Sequence, residues 1–393
     1  MSVGLDMGSE QNNLSNMFTQ FFESEKSSGK ILILCTIVSL LLANSALGSS
    51  YLNFWNLYIA GLSIEHWVND ALMAVFFLLI GLELKRELYN GELSNFKNAL
   101  LPIVAAIGGV CLPALIHFVL NAGTATQAGI GIPMATDIAF ALGVLALLGN
   151  HVPASLKIFL AALAVMDDLA AIVVIAIFYT AKLSLVYFLG AALIFAALTI
   201  LNRVFRVMKL TPYLIGGAIM WFCMLQSGIH ATIAGVLLAF AIPFSAINDD
   251  EKSPSYRLEH LLHKPVAFII LPIFALANTG IIIGSNWAQE LTSANSLGIM
   301  GGLILGKPVG IALLSFIAVV MGICKLPTGL NWKHIFGAGL LGGIGFTMSI
   351  FITNLAFTGN ANEITASKIA VLLASLIAGV FGYLWLRFLS NNR

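Results

Sequence analysis

Residues 156–180 read LKIFLAALAVMDDLAAIVVIAIFYT, and this stretch decides the kind of fold. It is a continuous apolar run, and about 20 such residues suffice for a helix to cross the hydrocarbon core of a bilayer. Two adjacent carboxylates, Asp167 and Asp168, stand in the middle of the run. Placing one ionisable group at that depth costs about 2.5–3.5 kcal/mol on insertion scales, so the pair indicates a functional site inside a membrane.

The rest of the chain has the same character. Of its 393 residues 59% are hydrophobic, and only 9% are Asp, Glu, Lys or Arg, against about 25% in ordinary soluble domains. So few charges cannot cover a water-soluble globule that has so much apolar surface. The composition excludes a soluble enzyme, a nucleic-acid-binding protein and a disordered protein, and it predicts an all-α polytopic membrane protein with a single transmembrane domain over residues 1–393.

Apolar runs predict twelve transmembrane helices. They lie at residues 31–47, 67–84, 99–120, 128–148, 156–180, 185–202, 210–225, 228–244, 265–284, 297–318, 335–357 and 366–388. Nearly all of the 19 Lys and Arg residues then fall on one side of the membrane; only Lys182 and Lys368 fall on the other, and Lys307 lies inside span 10. Because basic loops stay in the cytoplasm, we expect both termini there, with residues 1–30 as a cytoplasmic N-terminal segment.

A few ionisable residues lie well inside the predicted spans: Asp137 in span 4, Asp167 and Asp168 in span 5, and Lys307 in span 10. Neighbouring residues on a helix point about 100° apart, so one lysine cannot easily neutralise both members of the pair. The remaining negative charge suits protons or a hard cation, because hard cations choose carboxylate and carbonyl oxygens. For Asp137 alone, an ion pair that only fixes helix packing stays open.

Glycines interrupt two of the spans. Residues 129–137 read GIGIPMATD in span 4, and residues 337–347 read GAGLLGGIGFT in span 11. A helix broken at membrane depth frees backbone groups and is tolerated only beside a cavity or buried protein; the alternative is that the glycines merely allow close helix contact. One constant offset, which takes Thr136 to Thr347, aligns both segments and the spans that follow them, and so predicts an inverted repeat of spans 3–5 and spans 10–12. The repeats would cover residues 99–180 and 297–388.

Two glycine patterns mimic nucleotide-binding motifs. Residues 301–307 (GGLILGK) are followed by Pro308 where a P-loop needs Ser or Thr, and residues 337–342 (GAGLLG) follow no predicted strand. Both patterns lie inside spans, and a nucleotide motif needs its strand and helix context. We therefore expect no nucleotide and no bound cofactor.

Six stretches of the chain resemble the bacterial NhaA family of sodium/proton antiporters, and the resemblance covers nearly the whole chain. The stretches are GLELKREL at residues 81–88, PMATDIAF at 133–140, the pair Asp167–Asp168, RLEH at 257–260, GKP at 306–308 and GFTMS at 345–349. The family is known for inverted repeats with broken helices, so the repeat above is not independent of the resemblance. The resemblance implies a secondary active transporter, not an enzyme: an electrogenic, pH-regulated antiporter that exports Na⁺ and Li⁺ in exchange for H⁺ by alternating access.

The resemblance also implies where the protein works and with what. It would be a multi-pass protein of the bacterial inner membrane, surrounded by membrane lipid, with Na⁺, Li⁺ and H⁺ as transported ions. Residues 48–64 resemble the family's external dimerisation hairpin, so a homodimer is implied.

The resemblance assigns the transport chemistry to particular side chains. Asp168 would be the main sodium and proton carboxylate, with Asp167 as the second carboxylate and Lys307 as the partner of Asp167. Thr136 and Asp137 would lie where the broken spans 4 and 11 cross, with Asp137 offsetting the positive helix ends and Lys307 the carbonyl ends. The sodium ion would be held by Asp168, Asp167 and Thr136.

A cytoplasmic pH-sensing region is implied as well. Its members would be Glu83, Arg86, Glu87, Glu259, His260 and His263. The charge of histidine changes between pH 5 and 8, although an ordinary solvated loop is the alternative for both histidines. Tyr256 departs from the family pattern, in which a second basic residue is common, and this bears on the pH at which activity begins.

Two functions of other classes stay open at this point. A passive cation channel could use a ring of acids, but it would not need Lys307 buried beside them. An intramembrane aspartyl protease needs two carboxylates that face one water from separate helices. Asp167 and Asp168 are neighbours, so Asp137 would have to serve as the second acid.

Overall fold

The computed structural model describes residues 27–91, 94, 96–180, 183–244 and 253–391. Most of the predicted N-terminal segment, residues 1–26, lies outside the described residues, and so does Lys182. Each helix is numbered here after the predicted span that it overlaps, and a broken helix has parts a and b; α1b is the exception, since it follows span 1 and lies in the predicted hairpin segment 48–64.

The first half of the chain contains α1a Ser27–Ala43, α1b Gly48–Trp55, α2 Ile64–Tyr89, α3 Phe96–Asn121, α4a Ala125–Met134, α4b Ile138–Leu147, α5 Ala154–Phe178 and α6 Leu185–Arg203. The second half contains α7 Leu210–Ser227, α8 Ile233–Ala241, α9 Pro254–Asn278, α10 Ala294–Val320, α11a Trp332–Gly342, α11b Phe346–Ala356 and α12 Ala361–Asn391. Between α1b and α2 the two-residue strands β1 Tyr58–Ile59 and β2 Leu62–Ser63 form an antiparallel hairpin.

In the described part of the chain, eight helices are long and apolar enough to cross a membrane. The number rises to as many as eleven if each of three bent pairs counts as one span. The two parts of α1 meet at 118°, those of α4 at 42° and those of α11 at 48°. The prediction of an all-α polytopic membrane protein is confirmed, while the finer count of twelve spans stays a prediction.

The helix that departs most from the predicted pattern is α8. It has nine residues, although the apolar run predicts a span over residues 228–244. Gly228 adopts a φ of 87° and ends α7, and Pro243 follows soon after α8. Proline lacks the N–H that a continuing helix needs, so the helix stops where hydropathy alone would continue it.

The helices of the two predicted repeats pack on one another. α10 contacts both α3 and α11a, and α12 packs against both parts of α11. The closest approach joins Gly108 of α3 to Gly310 of α10, where a side-chain carbon added at either glycine would collide with the backbone carbonyl of the other. Small residues are what allow two helix backbones in a membrane to come this close.

A second apolar cluster joins α2 to the helices that lie outside the repeats. Leu82 of α2, Leu198 of α6, Tyr213 of α7 and Leu238 of α8 are buried in it. On another face α2 contributes Phe77 to the main core. α2 therefore contacts both groups of helices.

The outward faces of the bundle carry large apolar side chains. Val186 and Leu193 of α6 and Ile215 of α7 are exposed examples. Soluble proteins rarely expose contiguous apolar surface of this kind. The faces therefore suit contact with lipid.

Three of the described helices contain a π-helical turn. The turns are Trp67–Leu72 in α2, Val266–Ile270 in α9 and Gly302–Gly306 in α10. π turns are rare and often occur at functional sites. The third one directly precedes Lys307, the lysine predicted to lie well inside span 10.

Substituting Gly310→Ala should lower the melting temperature of the detergent-purified protein, because the new methyl group would collide with the α3 backbone at Gly108. Overpacking of this kind costs about 1–3 kcal/mol. The matched control is Gly301→Ala on the same helix, where the added carbon would lie at an ordinary 3.4 Å from Ile116. Thermal unfolding of both variants measures the difference; equal shifts would contradict the close contact between α3 and α10.

Candidate functional site

The breaks in α4 and α11 touch each other. α4 is interrupted between Met134 and Ile138, and α11 between Gly342 and Phe346. The backbone N–H of Asp137 donates a hydrogen bond of 2.6 Å to the carbonyl of Ile344. Two non-helical segments are thereby joined, and the ends of four half-helices meet around them.

Asp137 caps the N-terminal ends of both second half-helices. Its Oδ1 accepts a hydrogen bond from the N–H of Phe140 at 3.0 Å. Its Oδ2 accepts from the N–H of Thr347 at 3.0 Å and from Thr347 Oγ1 at 2.5 Å. The first N–H groups of a helix have no partner inside the helix and carry partial positive charge, so one buried carboxylate stabilises two helix ends.

Hydroxyl groups lie against the opposing carbonyl ends. Ser349 Oγ donates to the carbonyl of Ile132 at 2.7 Å. Thr136 Oγ1 lies 2.8 Å from the carbonyl oxygen of Gly342 and 2.5 Å from Oδ2 of Asp167. A hydroxyl group has one proton and can donate to only one of these acceptors at a time. Thr136 therefore has two alternative hydrogen bonds.

Lys307 and Asp167 form an ion pair in which both side chains are 0% exposed. Lys307 Nζ also donates to Thr136 Oγ1 at 2.9 Å, so its ammonium group reaches the carbonyl end at Gly342 through that hydroxyl. Removing one partner of such a pair leaves an uncompensated buried charge and costs about 3–5 kcal/mol. The pair therefore fixes α10 to α5.

Asp168 points to a different environment from its neighbour. It is 1% exposed, and it lines a cavity of about 70 Å³ together with Thr136, Asp137 and Thr347. Among the described residues, Oδ1 of Asp168 and Oδ1 of Asp167 have no hydrogen-bond partner. A buried carboxylate without partners is costly until a proton or a cation satisfies it. The site can thus take either one.

Most of the cavity wall is apolar, but Glu83, Thr136, Asp137, Asp168 and Thr347 contribute hard oxygen donors to it. They belong to carboxylates and hydroxyl groups, and hard cations choose such ligands. The structure as described holds no group of three or more His, Cys, Asp or Glu side chains placed to hold a metal ion.

The cavity extends from the crossing of the broken helices to Glu83 of α2 and His263 of α9. These are two of the six residues that the resemblance assigns to pH sensing. The π turn Val266–Ile270 of α9 supplies part of the wall between them and Asp168. A charge at either residue therefore faces the same space as the carboxylate.

Three more of the six residues form an ion-pair cluster at the Glu83 and His263 end of the cavity, which is called the cavity mouth here. Arg86 Nε lies 2.9 Å from Oε1 of the buried Glu259, and Arg86 Nη2 lies 3.5 Å from Oε1 of Glu87. The ring of His260, the sixth member, stacks on Tyr256 with 3.8 Å between ring centroids. The residue that departs from the family pattern is therefore a direct neighbour of the implied pH-sensing set.

Three residues of the crossing are absent from the sequence-based set of site residues, namely Thr347, Ser349 and Ser375. Ser375 of α12 accepts a hydrogen bond of 3.1 Å from the backbone N–H of Phe346, the first residue of α11b. The ring of Phe346 packs edge-on against Phe140 of α4b at 4.9 Å. Ser375 thus satisfies a helix-end N–H that Asp137 does not reach. A lone serine in an apolar span is a weak signal, because the sequence does not distinguish it from a residue that only packs against a neighbouring helix.

The glycines of α11 serve both of the uses that the sequence left open. The helix is broken after Gly342, and the backbone is also packed closely. A side-chain carbon at Gly339 would lie 2.7 Å from the Cα of Pro308 on α10. Close packing against α10 accounts for a glycine in the pattern that mimics a dinucleotide-binding motif.

A family model described as Na⁺/H⁺ antiporter 1 matches residues 19–386. The chain belongs to this family. It is 72% identical over 386 residues to the Na(+)/H(+) antiporter NhaA of Dechloromonas aromatica, an alignment that covers 98% of this chain and 99% of that protein. The proteins of the same name from Flavobacterium psychrophilum and Vibrio alginolyticus are 60% and 48% identical, with 96% and 95% of this chain and 98% of each relative covered. The resemblance seen in the six sequence stretches is confirmed.

In this member of the antiporter family, the three described aspartates near the crossing have different surroundings. Asp137 is engaged by two helix ends, and Asp167 is held by Lys307 and Thr136. Asp168 is the acid that faces the cavity with an unpartnered oxygen. The arrangement can therefore exchange a proton for a cation at Asp168 without dismantling the crossing.

Substituting Ser375→Ala should lower the denaturation midpoint in detergent, because the N–H of Phe346 would be left buried without an acceptor. Such a loss costs about 1–3 kcal/mol. The matched control is Ser315→Ala, since Ser315 is also buried in a helix but its Oγ has no hydrogen-bond partner among the described residues. If the two alanine variants denature alike, Ser375 has no role in holding α11b.

Proposed function

We propose that this chain is a secondary active antiporter that exports Na⁺, and also Li⁺, in exchange for H⁺ across the bacterial inner membrane. The observation that carries the proposal is the unpartnered oxygen of Asp168 in a cavity lined by Thr136, Asp137 and Thr347. The relatives named Na(+)/H(+) antiporter, aligned over nearly the whole chain, support it.

Competition for one carboxylate couples the two ions. When Asp168 is ionised, its free oxygen and that of Asp167 provide two ligands for a sodium ion. When the proton concentration is high, Asp168 takes a proton and the cation leaves. The site can carry one or the other, so a cycle that returns the empty ionised site is disfavoured by the cost of a buried uncompensated charge.

Thr136 adapts the site to its occupant. When the hydroxyl group of Thr136 donates its proton to the carbonyl of Gly342, it no longer donates to Asp167. The hydroxyl oxygen then serves as a further ligand for sodium. When the site holds protons, the hydroxyl returns to Asp167. One rotation of a short side chain thus accompanies the exchange.

The exchange moves net charge in this proposal. Asp167 is paired with Lys307 and Asp168 is not. If both acids carry protons on the return, more than one proton crosses for each sodium ion.

The proposed topology has twelve spans, both termini in the cytoplasm, and spans 3–5 and 10–12 as an inverted repeat. Basic side chains at the Glu83 end of the molecule, such as Lys85, Arg86 and Lys264, support a cytoplasmic location of that end. The cavity then opens to the cytoplasm. Alternating access consists of closing it at Glu83 and His263 and opening the other end.

A homodimer is part of the proposal. The hairpin of β1 and β2 exposes Leu57, Tyr58 and Ile59 on its outer part. A short strand pair with apolar side chains in the open favours pairing with a second copy, since an unpaired strand edge has free hydrogen-bonding groups.

The geometry disfavours both alternatives. A channel has no need of the buried pair between Lys307 and Asp167. In a protease, Asp137 would have to share a water with Asp168, but both oxygens of Asp137 accept hydrogen bonds from helix ends.

Replacing Asp168→Asn should reduce sodium-dependent proton flux in proteoliposomes to the level of empty vesicles, because an amide can neither bind sodium by charge nor carry the proton. The control is Glu290→Gln in the exposed helix Trp287–Glu290, which should retain the flux. Exchange that persists in Asp168→Asn would remove the proposed mechanism.

Regulation by pH is proposed to act through charges at the cavity mouth. When His263 is protonated, its positive charge faces the same cavity as Asp168 and Glu83, and it opposes the entry of sodium. Since protonation increases as pH falls, activity is suppressed at low pH. The charges of Lys264, Arg86 and Glu259 contribute to the electrostatic potential at the cavity mouth.

The variant His263→Gln should therefore move the midpoint of sodium-dependent proton flux to lower pH. His260→Gln is the matched control, because the ring of His260 stacks on Tyr256 instead of lining the cavity. Flux measured in steps from pH 6 to 9 gives both midpoints. A larger shift in the His260 variant would contradict the assignment to His263.

A further inference from the structure

Three helices carry the same order of residue types, Leu or Met, then Phe, then Asn, when each is followed from the cavity toward the end opposite Glu83 and His263. The order is Leu79, Phe77 and Asn69 in α2; Leu271, Phe274 and Asn278 in α9; and Met348, Phe351 and Asn354 in α11b. The first residue of each set lines the cavity. At 1.5 Å per residue, the asparagines lie about 9–15 Å farther along, toward the end opposite Glu83 and His263.

The phenylalanines form an apolar plug at this end of the cavity. The ring centroids of Phe77 and Phe351 are 5.6 Å apart, and those of Phe274 and Phe351 are 6.4 Å apart. All three side chains are buried. No charged ion can enter between packed apolar rings without a large desolvation cost.

Beyond the plug, Asn69, Asn278 and Asn354 form an asparagine ladder. Asn278 Nδ2 donates to Asn69 Oδ1 at 2.8 Å and to the carbonyl of Phe274 at 3.0 Å. Asn354 Nδ2 donates to Asn278 Oδ1 at 2.6 Å. Asn278 is buried and is the central member. Removing either outer asparagine breaks one bond and leaves the other in place.

The ladder joins helices with different roles in the site. α11b carries Thr347, which binds Asp137, and it belongs to the predicted second repeat. α2 and α9 carry Glu83 and His263 and lie outside both repeats. Asn69 also stands in a π turn, which is a local departure from regular helix geometry. The ladder is therefore a polar connection between the repeat helices and the helices at the cavity mouth.

We propose that the asparagine ladder positions α11b against α2 and α9, and so sets how much of the time the cation site is closed at the end opposite Glu83 and His263. The inference rests on the proposed function, since it concerns the sidedness of the same cavity. Opening that end requires α11b to separate from α2 and α9, and the ladder bonds break when it does.

The hydrogen bonds of the asparagine ladder have a strength that suits a reversible closure. Side-chain hydrogen bonds between membrane helices change an equilibrium by about three- to tenfold each. A connection of that size biases the closed arrangement without preventing the open one. A stronger contact, such as a buried ion pair, would keep the site closed on one side and prevent the transport cycle.

The test measures access to the far end of the cavity directly. The four native cysteines, Cys35, Cys111, Cys223 and Cys324, are replaced by serine, and Thr279→Cys is introduced as a reporter beside Asn278. Thr279 is fully buried, and within the described part of the chain its hydroxyl bonds only to the carbonyl of Ala275 in its own helix. A membrane-impermeant maleimide is applied to right-side-out and to inverted vesicles, with and without Asn354→Ala.

Asn354→Ala should raise the labelling rate about three- to tenfold from one side only, the side opposite Glu83. The apparent KM for sodium should rise when sodium is supplied at the Glu83 end and fall when it is supplied at the other end. The matched control is Thr358→Ala, one turn farther along, whose hydroxyl bonds only to nearby carbonyls. It should change neither quantity. Asn69→Ala breaks the other bond and should act in the same direction as Asn354→Ala.

The outcomes separate the inference from the proposed function. Unchanged labelling and unchanged sidedness of KM in both asparagine variants, with antiport retained, would overturn the ladder and leave the antiporter intact. Lack of sodium-dependent proton flux in the unaltered chain would overturn the proposed function itself, together with the inference that rests on it.

Discussion

A helix that is broken inside a membrane must find partners for backbone groups that water cannot reach, and the rest of this structure depends on how that is done. In α4 and α11 two such breaks meet, and Asp137 satisfies N–H groups of both second half-helices with one carboxylate. Ser375 and Ser349 satisfy further groups at the same place. Without these contacts the crossing would have orphaned donors and acceptors, each costing several kcal/mol in hydrocarbon. The crossing therefore depends on the buried carboxylate of Asp137.

This use of Asp137 determines what the other two acids can do. Asp167 and Asp168 are adjacent on a helix, so their side chains point in different directions, one toward Lys307 and one toward the cavity. With Asp137 committed to the helix ends and Asp167 to the lysine, Asp168 is left as the acid whose protonation does least to the surrounding packing. A site that must change its charge in every cycle needs such a separation between the groups that hold the fold and the group that reacts.

The features that could be predicted from the sequence are those that depend on the residue composition along a single helix. Apolar length indicates spans, and a charge inside a span is visible as a single letter, which is why Asp137, the pair in α5 and Lys307 were found. Glycine clusters indicated the breaks, although they could not tell a broken helix from a closely packed one, and α11 is both. The contact of Ser375 with Phe346, the π turns and the asparagine ladder could not be predicted in this way. They depend on how each helix is rotated about its axis and on which neighbour it meets, and neither is encoded in hydropathy. Hydropathy does not show the short length of α8, because Gly228, which ends α7, and Pro243, which follows α8, act on backbone geometry.

The plug and ladder explain why a cavity with unsatisfied carboxylate oxygens need not leak. In the proposed mechanism, an ion that enters beside Glu83 and His263 reaches Asp168 and then meets the rings of Phe77, Phe274 and Phe351 beyond it. Passage then requires α11b to move, and α11b is tied through Thr347 to Asp137 as well as through Asn354 to Asn278. Movement of this half-helix therefore acts on the crossing that holds the site and on the barrier that closes it. Because both contacts are on one short half-helix, movement of that half-helix changes the site and its outer barrier together, as exchange requires.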